Sequence, residues 1–190
     1  VVSVGGDGTV HEIVNGIALK DITLGIIPAG SGNDLARTLK IPLEFAEAVR
    51  VIQEQKTKVM DIGLAGSRYF INIGGVGFDA EVVADMNSNM KFLKGTVAYI
   101  ASVMKKLLTF VPIQLKITID AEVMEKNVYI CSVANGKYYG GGMMLAPDAE
   151  IDDGLFDICI LEDLNKIDFL ITFPSVFKGK HVNHPKVKIH

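Results

Sequence analysis

The sequence predicts an incomplete parallel α/β domain followed by a β-sandwich. Two observations carry that reading. A β-branched run enters a glycine-rich turn and then an apolar pattern at helical spacing, and this happens twice before residue 40. Such repeats mark parallel strands joined by crossovers. After a polar break at residues 56–58 the pattern changes to short strands separated by turn residues, as in a sandwich. The break places the first domain at residues 1–57. The second, a sandwich with accessory helices, takes residues 58–190.

The first strand, residues 1–4, runs into Gly5-Gly6-Asp7-Gly8-Thr9. Val10, Ile13, Val14 and Ile17 then recur at helical spacing. Thr9 as cap and Glu12 three residues on make a capping-box pattern. A second strand at residues 22–27 leads through Pro28-Ala29-Gly30-Ser31-Gly32-Asn33-Asp34 to a helix carrying Leu35, Ala36 and Leu39. Ser31, Asn33 and Asp34 are helix-capping types. Pro42 opens a third helix reaching about Gln53, with Phe45, Val49 and Ile52 on one face.

Beyond the break, residues 59–64 and 69–76 read as strands joined by a hairpin at Gly66-Ser67. Gly77-Phe78-Asp79 begins a short helical stretch, and residues 87–90 read as loop. Residues 95–110 form an amphipathic helix with Val97, Ile100, Ala101, Met104, Leu107 and Leu108 apolar. That face, with Lys94, Lys105 and Lys106 near it, suits either the sandwich or a membrane, and packing on the sandwich is the commoner arrangement. Strands then dominate at 113–119, 128–134, 143–146 and 155–161, and a helix at 165–177 is interrupted near Pro174.

Composition narrows the function. The 190 residues are 49% hydrophobic and 22% charged, with a formal net charge of −3 and no Trp. Nothing there favours nucleic acid. Cys131 and Cys159 sit in apolar strand-like runs, where a thiol behaves as a small core residue, and the usage suits a reducing compartment. No apolar run has transmembrane length and no signal peptide is visible.

The glycine turns carry the chemistry. Free amides and the helix dipole favour an anion at each helix start. Asp7 would repel a phosphate, so its place is with Mg²⁺ or a bound hydroxyl. The alternative is a joint that uses glycines only for tight packing. Neither loop matches G-x-G-x-x-G or G-x-x-x-x-G-K-[ST], which argues against a hydride-transfer cofactor or a Walker-type ATPase. Gly140-Gly141-Gly142 either admits a ligand or forms a bulge. His181 and His184 have no third partner at zinc spacing and read as a surface loop.

These residues resemble the diacylglycerol kinase catalytic family, in its soluble bacterial form, over nearly the whole chain. The resemblance runs through Gly5-Gly6-Asp7-Gly8-Thr9 with Glu12 and Asn15-Gly16, and through Pro28 to Arg37. It continues in Asp61-Ile62-Gly63, Phe70-Ile71-Asn72 and Gly74 to Asp79, then Asn135-Gly136 with Gly140-Gly141-Gly142, Ala146-Pro147 and Asp152-Asp153-Gly154-Leu155. The first loop is shared with NAD kinases and phosphofructokinases. The second loop and the late string make the match specific.

The resemblance implies an ATP-dependent kinase that phosphorylates a lipid hydroxyl, with diacylglycerol the leading acceptor. It implies nucleotide contacts from Gly5, Gly6, Asp7, Gly8, Thr9, Val10, His11 and Ser31, with Asp7 catalytic. Mg²⁺ is implied near Asp7, with Asp34 and Asp61 contributing directly or through water. A structural Mg²⁺ is implied at Glu150, Asp153 and the Leu155 carbonyl, although the family more often has a non-acidic residue at the Glu150 position. A simple Asp-Asp-Gly turn is the other reading there. The resemblance also implies a cytoplasmic protein that visits a membrane surface, often as a homodimer. By this reading the chain is a fragment, lacking an upstream βα unit and a later Asp-Gly-Glu-type segment that supplies the catalytic base. The rival acceptors are a sphingoid base, phosphatidylglycerol or NAD, and a nucleotide-binding module without catalysis is the remaining alternative.

Overall fold

The computed structural model describes residues 1–89 and 95–190, with side-chain surroundings for all but residues 86–99. In chain order the elements are β1 (Val2–Gly5), α1 (Asp7–Ile17), β2 (Gly25–Pro28), α2 (Asp34–Thr38), α3 (Phe45–Gln53), β3 (Gly63–Ala65), β4 (Arg68–Phe70) and β5 (Ile73–Gly77). Then follow α4 (Phe78–Asn89), α5 (Gly95–Thr109), β6 (Ile113–Ile119), β7 (Glu122–Ala134), β8 (Tyr138–Tyr139), β9 (Met143–Met144), β10 (Asp157–Glu162), α6 (Lys166–Thr172) and β11 (Val187–Ile189). An α/β first part and a sheet-rich remainder agree with the predicted fold class.

The chain divides into two compact units, Val1–Gly74 with Ala134–Phe156, and Gly75–Val133 with Asp157–His190. The polar break at residues 56–58 does not separate them. The chain after the break stays with α1. Asn15 donates to the Tyr69 carbonyl and accepts from the Tyr69 amide, both at 2.9 Å, and Arg68 pairs with Glu12 at 2.7 Å.

In the first unit β1 and β2 pair in parallel, Val2 opposite Gly25 and Gly5 opposite Pro28. Val10 and Val14 of α1, Ile26, Leu35 and Ile71 form the buried core. Burying each such side chain contributes about 1.5–3 kcal/mol. β3 and β4 form the expected hairpin, turned by Gly66 at φ +61°.

Several boundaries differ from the sequence reading. α1 begins at Asp7 because Gly6 turns the chain in an extended conformation, so Thr9 is not its cap and no side chain caps it. Glu12, expected in a capping box, goes to Arg68 instead. The second strand starts at Gly25, and Ile22 lies before it. α3 starts at Phe45, where the Glu44 carboxylate accepts from the Glu47 amide at 2.8 Å, and Phe45 is exposed while Ala48 is buried.

The second unit is built on a sheet of order β11-β10-β7-β5, with β6 on β7. β6 and β7 form a long antiparallel hairpin, Ile119 opposite Glu122, across Asp120 at φ +50°. Phe78 centres an aromatic core, 5.3 Å from Phe110, 6.2 Å from Tyr129 and 5.2 Å from Phe169. Helix α4 extends to Asn89, so residues 87–89 are not loop, and Met90 lies outside the described residues.

α5 buries only part of the expected face: Leu107 is inward as expected, together with Val103, whereas Ile100, Met104 and Leu108 are exposed. Val97 and Lys94 lie outside the residues whose side chains are described. α6 starts under an Asn165 cap, whose side-chain oxygen accepts from the Asp168 amide at 2.9 Å, and gives way to a 3-10 turn at Phe173–Lys178 that contains Pro174. His181 is buried in a second 3-10 turn, Lys180–Asn183, so it is not part of a surface loop. Cys131 and Cys159 are free thiols, and burial pushes the Cys159 thiol up to about 12.

Candidate nucleotide site

Two glycine loops meet at the carboxyl ends of β1 and β2. The Ala29 amide donates to the Gly5 carbonyl at 2.9 Å and extends the parallel ladder into the turns. The loops then touch backbone to backbone. A Cβ on Gly30 would lie 2.3 Å from the Gly6 Cα, and one on Gly6 would lie 2.9 Å from the Gly30 Cα. Only glycine permits that approach. Asn33, in the left-handed region at φ +56°, closes the second loop. Its side-chain oxygen accepts from the Gly30 amide at 2.9 Å, and its amide group donates to the Gly30 carbonyl at 2.8 Å.

Asp7 joins the two loops. It lies in the first turn of α1, yet its Oδ1 accepts from the Leu35 amide at 3.0 Å and so caps α2. A Cβ on Gly32 would meet Asp7 Oδ2 at 3.0 Å and Asp34 Oδ2 at 3.3 Å. The two carboxylates therefore converge on Gly32. Asp34 is buried, with both oxygens engaged: the Gly141 amide donates to Oδ2 at 2.8 Å and the Gly142 amide to Oδ1 at 2.7 Å. Burial raises its pKa, Asp7 adds to the rise, and the two amides and Arg37 oppose it. The Gly140–Gly142 turn joins β8 to β9, with φ of +61°, +85° and +107°.

The remaining candidates fall at several places. The first-turn amides of α1 at Asp7, Gly8 and Thr9 have no side-chain cap, and the space above the Gly8 Cα is open. The Val10 amide donates to the Gly6 carbonyl at 3.1 Å and its side chain is in the core. Thr9 packs over Gly5, where a Cβ would come within 2.5 Å of its hydroxyl oxygen. His11 is half-buried, and its carbonyl accepts from the Asn15 side chain at 2.9 Å. Ser31 is exposed at the tip of the second loop.

Asp61 sits at another turn: its Oδ2 accepts from the Gly154 amide at 2.8 Å, and its own amide donates to the Ile151 carbonyl at 2.8 Å. In that turn Asp153 accepts from the Leu155 amide at 3.0 Å, Asp152 pairs with Lys58 at 2.8 Å, and Glu150 is exposed. Among the described residues no three His, Cys, Asp or Glu side chains lie close enough together to hold a metal ion.

Sequence reasoning singled out Gly140-Gly141-Gly142 and Asn135 but not their partners, and it did not find the Leu35 amide as the partner of Asp7. The Leu35, Gly141 and Gly142 amides are main-chain groups, which residue types do not advertise. The Asn135 side-chain amide donates to the Asp61 and Ile71 carbonyls at 2.8 and 3.0 Å and ties the late segment to the early one. The run of three glycines after Asn135 was the available signal.

Paired glycine loops on a parallel ladder, with two acids between them, define a nucleotide-loop type of α/β protein. The comparisons with known proteins agree. The model of the diacylglycerol kinase catalytic domain matches residues 1–65, and that of the YegS C-terminal NAD kinase beta sandwich-like domain matches residues 73–190. The chain belongs to the bacterial diacylglycerol kinase family.

The diacylglycerol kinase of Bacillus subtilis (strain 168) is 36% identical over 186 residues, covering 96% of this chain and 61% of that protein. That of Staphylococcus carnosus (strain TM300) is 36% identical over 187 residues, covering 96% and 60%. The crystal structure of a diacylglycerol kinase from Bacillus anthracis str. Sterne superposes with a TM-score of 0.72 at 29% identity, covering 100% of this chain and 61% of that one. The chain thus spans about three fifths of the length of the curated relatives it matches.

Proposed function

We propose that the full-length protein is an ATP-dependent lipid kinase. It transfers the γ-phosphoryl group of ATP to the free hydroxyl of diacylglycerol or a related lipid, giving ADP, a phosphatidic-acid-type product and a proton. The observation that carries this reading is the back-to-back contact of Gly6 and Gly30 beneath the uncapped first turn of α1. Backbone amides there suit phosphate oxygens, and phosphoryl transfer needs mainly positioning and electrostatic support. The gap between the loops is a void of about 10 Å³, water-sized, so a nucleotide would lie on their outer rim.

Asp7 and Asp34 suit Mg²⁺. The ion takes one or two carboxylates and fills its remaining positions with phosphate oxygens and water. Asp7 keeps Oδ2 beside Gly32, while Asp34 would exchange an amide contact for the metal. When bound, the ion would offset charge on the phosphates. Asp61 would act through water at most, from its place at the Gly154 amide. A structural Mg²⁺ at Glu150, Asp153 and the Leu155 carbonyl belongs to the same proposal. It is supported by the exposed Glu150 and Asp153 side chains. Chelation with EDTA should lower the Tm of the wild type and leave that of Asp153→Asn unchanged. An equal response in both would remove this second ion from the proposal.

No helix among the described residues is long and apolar enough to cross a membrane. A lipid acceptor would then be met at the membrane surface, on the cytoplasmic side where ATP is available. A second reading, NAD as acceptor, is favoured by the NAD kinase-like description of the matched C-terminal domain. Incubating the full-length protein with radiolabelled ATP and a panel of diacylglycerol, sphingoid base, phosphatidylglycerol and NAD separates the two. Label in phosphatidic acid supports the lipid reading, and label in NADP alone overturns it.

A further inference from the structure

We propose that the Gly140–Gly142 turn is a third phosphate cradle, filled by Asp34 in the free protein and passed to the terminal phosphate of the bound nucleotide. The choice of ligand rests on the nucleotide reading above; the cradle rests on the geometry of the first unit. Tyr139 pairs with Met143, which leaves Gly140, Gly141 and Gly142 as a three-residue hairpin turn. Such a turn ordinarily needs one left-handed residue. Here all three have positive φ, at +61°, +85° and +107°. Successive amides in such a backbone turn to one side and form an anion-binding hollow. The present occupant is an anion. The Gly141 amide donates to Asp34 Oδ2 at 2.8 Å and the Gly142 amide to Oδ1 at 2.7 Å, one amide to each oxygen. Two oxygens of a phosphate present the same pair of acceptors.

The cradle stands beside the second glycine loop. A Cβ on Gly32 would lie 3.6 Å from the Gly141 Cα and 3.3 Å from Asp34 Oδ2. A phosphate that takes the place of Asp34 at the two amides would therefore lie against that loop. Arg37 adds a positive charge there: its Nε donates to the Gly32 carbonyl at 3.3 Å, and its charge acts on Asp34. Asp34 is a poor permanent occupant. Burial disfavours its ionised form, and the charge of Asp7 adds to this. With a divalent cation between Asp7 and Asp34, the carboxylate has a better partner and the two amides need another acceptor. A phosphate that arrives with the cation supplies it.

The test follows the Gly141 and Gly142 amides by NMR in the isotopically labelled full-length protein, with inorganic phosphate as the probe and no divalent cation. In the wild type Asp34 fills the cradle, so phosphate should leave both resonances in place. Asp34→Ala empties it, so phosphate should give saturable shifts at both amides, with an affinity at least about tenfold above that of the wild type. A folded Asp34→Ala whose Gly141 and Gly142 amides ignore phosphate overturns the proposal, as do equal responses in variant and wild type. Asp34→Asn keeps the shape and one acceptor, and it serves if Asp34→Ala does not fold. Its side-chain NH2 group cannot accept from the second amide, so phosphate should move at least one of the two resonances. Movement of neither overturns the proposal.

Two further arms on the folded variant decide the source of the phosphate, read as hydrogen exchange at the same amides. The magnesium complex of a non-hydrolysable ATP analogue should slow exchange at least about tenfold. A short-chain phosphatidic acid below its micelle concentration should leave exchange unchanged. Slowing by phosphatidic acid alone overturns the proposal by assigning the cradle to a lipid phosphate. Calorimetry of the analogue with the wild type separates this proposal from the reading it rests on. Absence of heat sinks the nucleotide reading, whereas heat with no slowing at Gly141 and Gly142 sinks the cradle and leaves that reading in place.

Discussion

The Oδ1 of Asp7 caps α2 through the Leu35 amide, and on the proposed function its charge would serve Mg²⁺, two roles that substitution can pull apart. Asn keeps an acceptor at that position and removes the charge. Asp7→Asn should therefore hold the Tm of the wild type, while Asp7→Ala should lose about 1 kcal/mol in chemical denaturation. Both should lose at least about a hundredfold in MgATP turnover. Turnover retained by Asp7→Asn would remove the charge from the mechanism. Asp79 tests burial instead. Its Oδ1 accepts from the Ala80 amide at 2.8 Å and its Oδ2 from the Ser132 hydroxyl at 3.2 Å, and burial raises its pKa above the usual 3.8. A raised carboxyl pKa means that the folded state binds its proton more tightly than the unfolded state. The contribution to stability is present below 3.8 and is lost as pH rises through the folded pKa. Relative to Asp79→Asn, the wild type should gain stability as pH falls toward 4 in urea melts. A difference that does not change with pH would contradict the burial argument.

At the scale of elements, the glycines sort by what a methyl group would meet. Gly30→Ala places a Cβ against the Gly6 backbone, which cannot rotate away, and should cost about 1–3 kcal/mol. Gly16, inside α1 with nothing within 4 Å of an added Cβ, should gain up to about 1 kcal/mol on substitution by Ala. Gly8 separates fold from function. A Cβ there also meets nothing, so Gly8→Ala should fold as well as the wild type yet bind nucleotide about tenfold more weakly at the α1 amides. Unchanged affinity would place the phosphates elsewhere. The two loops were legible because a strand, glycines and a helix in that order leave a strong imprint on residue types. Caps were less legible. Thr9 has the right chemistry, but Gly6 turns the chain earlier, and the capping acceptor for α2 comes from Asp7, 28 residues upstream. The faces of α5 were misread for a related reason. Apolar residues occur nearly all round that helix, so periodicity alone cannot choose between Val103 and Met104 as the inward residue.

Across the whole molecule, the unit boundary was the least legible feature. The polar break at residues 56–58 marks where the chain leaves α3. Long-range bonds then return residues 134–156 to the first unit, through Asp34 with Gly141 and Gly142, Thr38 with the Lys137 amide at 3.2 Å, and Asn135 with Asp61. Local composition carries no record of such returns. They also explain why the late glycine run belongs with the two glycine loops of the first unit. On the proposed function the amides of residues 6–9 and of Ser31 and Gly32 hold a nucleotide's phosphates, while the Gly30 amide stays with the Asn33 side chain. Titrating MgADP into the isotopically labelled full-length protein, while following backbone amide chemical shifts, tests it most directly. Saturable shifts should concentrate at Gly6, Gly8, Thr9, Ser31 and Gly32, with Gly141 and Gly142 responding through Asp34. Saturable binding that leaves those amides unmoved, or no binding at all, would contradict it.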